Sequence, residues 1–209
     1  MRKILSLSPI LISILLILSI VIWGGYSTDR FFLNDGGYVE WEKGIKYHDP
    51  AAYELHSEGL EIMDSGDLDY AEEHFQSLVS SYPDYVGGYL ALGSIQLLLN
   101  NETQAKVNFL KSIEINPNYP QSYSRLGYAE AALGDCTNAI KYYKHALELE
   151  GNYGMAHFGI AECYYYNNDF DLAATHLKKA ITLVPDSQYG KAAKSLLEKV
   201  LLKKQADLD

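Results

Sequence analysis

From residue 52 onward, small, apolar and aromatic residues fall into columns that return every 34 positions. Gly59, Gly93, Gly127 and Ala161 form one column, and Ala71, Ala105, Ala139 and Ala173 a second. Phe75, Phe109, Tyr143 and Leu177 form a third, and Pro83, Pro117, Gly151 and Pro185 a fourth. The columns define four units without an insertion, at 52–85, 86–119, 120–153 and 154–187. A period of this length marks stacked supersecondary units, each too small to bury its own apolar face. Within a unit, apolar positions recur three and four apart in two blocks, which is helical spacing. In the third unit the blocks include Tyr123, Leu126 and Ala129, then Ile140, Tyr143 and Leu147.

Between the blocks stands the column Gly66, Asn100, Gly134 and Asn168. Gly and Asn are the residues that most readily take the left-handed backbone that ends a helix. Asp67, Asp135 and Asp169 follow as candidate caps for the next helix. The proline column stops that second helix. Each unit therefore reads as helix, tight turn, helix. A mid-helix Gly costs about 1 kcal/mol relative to Ala, so the Gly59 column implies close approach of two helices. The expectation is that it faces the Ala71 column, small against small.

These columns resemble the tetratricopeptide repeat family at the Tyr89/Tyr123, Leu92/Leu126, Gly, Ala, aromatic and Pro places, over residues 52–187. Glu58 stands where that family has Leu, and His157 where it has an aromatic. The resemblance implies an all-α, right-handed superhelical solenoid of four helix-turn-helix repeats. It also implies a concave groove lined by the first helix of every unit. Carried over by column, the groove takes Tyr53, His56, Leu60 and Met63 from unit one, and Leu90, Ser94, Leu97 and Leu98 from unit two. Unit three gives Ser124, Tyr128 and Ala131; unit four gives Met155, Phe158, Glu162, Tyr165 and Tyr166. That surface is mainly aliphatic and aromatic, the kind that meets a protein partner. Family members that bind chaperones clamp a terminal carboxylate with Lys, Arg and Asn. Here the matching columns hold His56, Leu90, Ser124 and Phe158, and Leu60, Ser94, Tyr128 and Glu162, so a carboxylate clamp is not expected.

After the last repeat, Ala192, Ala193, Leu196, Leu197, Val200 and Leu201 keep helical spacing, with Lys191, Lys194, Lys199, Lys203 and Lys204 between them. Residues 188–209 thus read as a capping helix and tail with an apolar stripe and a solvated face. Asp49-Pro50 reads as cap and first turn of the first repeat.

The net charge of −10 is concentrated in unit one, which carries Glu54, Glu58, Glu61, Asp64, Asp67, Asp69, Glu72, Glu73 and Asp84 and no Lys or Arg. The rest of the chain is nearly neutral. Without a basic cluster a nucleic-acid partner is not expected. Cys136 and Cys163 form no metal or redox spacing and read as buried hydrophobes, with a disulfide between them as the alternative outside the cytoplasm. No nucleophile elbow, phosphate loop or paired-histidine metal motif occurs, so neither an enzyme nor a cofactor is expected. Asp64-Ser65-Gly66-Asp67-Leu68-Asp69 has the wrong intervals for a calcium loop and coincides with a turn.

Residues Ile4 to Trp23 are uncharged and apolar. Such a helix would span about 30 Å, a bilayer's hydrocarbon thickness. Residues 1–23 are therefore expected to be an N-terminal transmembrane anchor, with secretion after signal cleavage as the alternative. Arg2 and Lys3 on the short side place the N-terminus in the cytoplasm and the repeats outside it. Residues 24–51 read as a tether, with a short helix around Tyr38–Tyr47 covering the first repeat. The reading as a whole is a membrane-tethered, protein- or peptide-binding scaffold. Its alternative is a self-assembling envelope component whose repeats form a homo-oligomer.

Overall fold

The computed structural model describes residues 31–32, 38–39 and 50–206. The chain divides into two units, residues 1–46 and 47–209. In the first, strands β1 (Phe31–Phe32) and β2 (Tyr38–Val39) pair antiparallel, Phe31 opposite Val39 and Phe32 opposite Tyr38. Tyr38 and Val39 thus belong to an extended pair, not to the start of the expected short helix. The expected membrane span at 4–23 lies outside the described residues. Among these, no helix is long and apolar enough to cross a membrane.

The described residues of the second unit form helices joined by short turns. Its helices are α1 (Pro50–Ser65), α2 (Leu68–Ser81), α3 (Val86–Leu98), α4 (Glu102–Ile115) and α5 (Pro120–Ala132). There follow α6 (Cys136–Leu149), α7 (Gly154–Tyr166), α8 (Phe170–Leu183) and α9 (Gln188–Ala206). Every helix packs on the next one in sequence. In addition α1 touches α3, α3 touches α5, α5 touches α7 and α7 touches α9, whereas α2, α4, α6 and α8 do not meet one another. Odd-numbered helices therefore form a close inner layer and even-numbered ones a splayed outer layer.

The turns follow the Gly/Asn column. Gly66, Asn100, Gly134 and Asn168 have φ of +88°, +57°, +86° and +62°. The ends close as Schellman turns, with Asn101, Asp135 and Asp169 amides donating to the Gln96, Glu130 and Tyr164 carbonyls at 2.7, 2.8 and 2.9 Å. Asp67, Asn101 and Asp135 then cap the following helix through their side chains. Asp169 occupies the same position without a side-chain cap bond.

The Gly column meets the aromatic column of its own units and, at Gly127, also the expected Ala column, since a Cβ there would lie 3.1 Å from the Ala139 carbonyl oxygen. A Cβ on Gly59 would lie 2.5 Å from the Phe75 ring, and one on Gly93 2.5 Å from the Phe109 ring. Each glycine makes room for the aromatic of its own unit. In unit four the aromatic is replaced by Leu177, and Ala161 then fits where the others need Gly; both are fully buried. Tyr143 is wedged from two sides, since Cβ atoms on Gly127 and Gly159 would come within 3.0 and 2.2 Å of its ring. At the C-terminus, Ala193 and Val200 are buried with Leu196 and Leu197 against α8 and its neighbours. Leu201 departs from the expected stripe and is 52% exposed.

Candidate functional site

Polar side chains fix how successive units meet. Asn108 donates to the Gln96 side chain at 2.6 Å and Gln96 donates to Glu72 at 3.1 Å, joining α2, α3 and α4. Lys106 on α4 pairs with the buried Glu130 on α5 at 2.8 Å. Within unit four, the Nδ1 atoms of His157 and His176 lie 3.0 Å apart across the α7–α8 hairpin. One must donate and the other accept, so the pair shares a single proton there. Burial holds both imidazoles below their ordinary range, with His176 at about 4, further lowered by His157, Lys179 and Lys144. Separation in sequence hides this pair, which only the hairpin brings together.

The inner-layer residues expected in a groove divide by exposure. Tyr53, Leu98, Tyr128 and Tyr166 are exposed, at 42, 59, 51 and 73%. Leu60, Met63, Leu90, Leu97, Met155, Phe158 and Tyr165 are half-buried. Leu60 and Met63 rest on the core of the first hairpin, and Leu90 and Leu97 on that around Phe109 and Leu126. The Phe158 ring lies 6.0 Å from that of Tyr189, and Tyr165 meets Tyr166 and Phe170, each at 5.9 Å. Ser94 and Ala131 are half-buried, and Ser94 bonds back to the Leu90 carbonyl.

Two residues of that set are core instead. His56 is only 8% exposed, edge-on to Phe75 at 5.4 Å and Tyr85 at 5.5 Å. Burial, aided by His74, lowers its pKa to about 4, so it is neutral packing material. Ser124 is fully buried. His56 is covered by the outer helix of its own hairpin, through Phe75, and by Tyr85 just before α3.

Glu162 stands apart. It is half-buried on α7, and burial raises its pKa to about 7, with no hydrogen bond or nearby charge opposing that rise. Burial pushes the Tyr143 hydroxyl well above its ordinary range, and Cys163, Glu162, Tyr128 and Tyr189 push it further. The Cys163 thiol is itself pushed up by burial and by contact with Cys136. Both thiols are free, Cys163 buried and Cys136 half-buried.

The architecture agrees with known proteins. Residues 86–119 and 119–186 each match a tetratricopeptide repeat family model, so this part of the chain is similar to tetratricopeptide repeats. The fold resembles the structure titled APC/C hetero-tetramer Cut9–Hcn1, at TM-score 0.64 and 22% identity over 72% of this chain and 30% of that one. It resembles equally a thermophilic tetratricopeptide repeat protein of Thermus thermophilus, at TM-score 0.64 and 23% identity over 72% and 81% of the two chains. A third likeness is the first repeat domain of Spaghetti (RPAP3) bound to the HSP90 peptide SRMEEVD, at TM-score 0.54 and 24% identity, covering 60% of this chain and 99% of that one. No curated protein sequence matches this chain at a significant level.

Proposed function

We infer that the chain is a protein-interaction scaffold that holds a segment of a partner on the inner face of its repeats, tethered to a membrane through residues 4–23. The observation that supports this most is the exposure of Tyr53, Leu98, Tyr128 and Tyr166 on inner-layer helices. Tyrosine offers a large rigid contact at low entropic cost, and an apolar strip in water favours a partner that covers it. The Spaghetti domain carries an acidic HSP90 peptide. The inner columns of this chain offer no Lys or Arg cluster for such a ligand, so the expected segment is apolar.

Tyr128→Ala with Tyr166→Ala tests the reading, because both rings are exposed and their loss leaves the core intact. Partner capture by the full-length chain is expected to fall at least tenfold with circular dichroism unchanged. Undiminished capture by the double variant contradicts it.

Self-association is a second reading, favoured by charge at the two ends. Eight of the acidic side chains of unit one are exposed at one end. Lys191, Lys194, Lys199 and Lys203 are exposed on α9 at the other, beside exposed Leu201 and Leu202. Light scattering separates the two readings: head-to-tail assembly is expected to shrink as salt rises, whereas a monomer at tens of micromolar at low salt removes it.

A further inference from the structure

We propose that Glu162 anchors a cation-binding subsite on the inner face, taking a lysine or arginine side chain of the bound segment. This rests on the inner-face reading above and adds the chemistry of one contact. Two other carboxylates drawn into the repeat interfaces have partners: Glu130 pairs with Lys106 at 2.8 Å, and Glu72 accepts from Gln96 at 3.1 Å. Glu162 is half-buried with nothing offsetting its burial. A charge drawn out of water without a partner is costly, and a neutral side chain would pack there at no such cost. The same column holds Leu60, Ser94 and Tyr128 in the earlier units, so packing does not demand an acid.

The surroundings complete the case. Phe158 stands one turn before Glu162 on α7, and Tyr165 and Tyr166 one turn after it, where residues three and four apart share a helix face. Tyr128 precedes it in the same column, and the Phe158 ring lies 6.0 Å from that of Tyr189. A carboxylate among aromatic rings is the arrangement that holds an ammonium or guanidinium, by charge and by the ring faces together. The subsite sits toward one end of the inner face, so it would orient the segment, with apolar residues on α1 and α3 and the basic one on α7.

The test is a carbon-13 titration of the Glu162 carboxyl in the full-length chain, kept soluble in a non-ionic detergent. The probes are N-acetyl-lysine N-methylamide and its norleucine analogue. The lysine probe is expected to move the midpoint from about 7 to about 6, a tenfold preference for the ionised form. Shifts should gather at Tyr128, Phe158 and Tyr165 and vanish in Glu162→Gln, whose fold is checked by circular dichroism. Equal effects of both probes overturn the cation subsite while leaving the apolar surface standing. A silent Glu162 with both probes overturns the subsite, and the Tyr128/Tyr166 double variant then judges the surface separately. A midpoint already near the ordinary 4.5 without probe means that water reaches the carboxylate freely, which overturns the subsite.

Discussion

Single residues in this protein are legible mainly through what faces them. Gly93 is a glycine because the Phe109 ring occupies the space of its Cβ, and Ala161 is tolerated because Leu177 is smaller. Gly93→Ala is expected to cost about 1–3 kcal/mol by overpacking. Adding Phe109→Leu, which copies the Ala161/Leu177 pair, should recover part of that cost. A double-mutant cycle by urea denaturation measures the coupling; strict additivity would contradict the contact. Glu162 makes a prediction of opposite sense. Its folded pKa, about 7, lies above the ordinary 4.5. It therefore stabilises the fold below 4.5, and that contribution is lost as pH rises through 7. Glu162→Gln should raise Tm by a few degrees at pH 8 relative to wild type and leave it unchanged near pH 4. Equal Tm values at pH 8 would show that the carboxylate is not strained by burial.

Helices and turns were the most readable level of the sequence. The Gly/Asn column named the left-handed turn residues, because few side chains tolerate that backbone, and all four have positive φ. Asn100→Ala is expected to cost about 1 kcal/mol by forcing a residue with a β-carbon and no compensating amide into that region; thermal denaturation checks it. Less readable was which inner-helix residues stay at the surface. His56 and Ser124 share a column with half-buried Leu90 and Phe158 but are themselves buried, a difference in packing that the column alone does not encode. The His157–His176 contact was likewise invisible, since the two residues meet only when the hairpin closes. With His176 held near 4 against an ordinary 6.5, the unfolded chain binds protons that the folded one refuses. The stability this pair contributes is present above pH 6.5 and lost as pH falls toward 4. His176→Asn should flatten the dependence of Tm on pH across that window, leaving the slope due to His56, whose pKa is also about 4. An unaltered slope would mean the pair is not buried as a neutral unit.

At the scale of the molecule, the repeat period fixed the stacking of hairpins through residues 50–206, because each hairpin can bury its apolar side only against the next. What the stack holds was less legible: an exposed tyrosine announces contact without naming the partner. The inner face is the proposed contact surface. A photo-crosslinking residue placed at Tyr128 on the inner layer, and in a parallel variant at Tyr70 on the outer layer, each exposed in the free chain, tests it in the full-length protein. One partner segment is expected to crosslink from position 128 and not from position 70. Crosslinking of that partner from position 70 alone would contradict it.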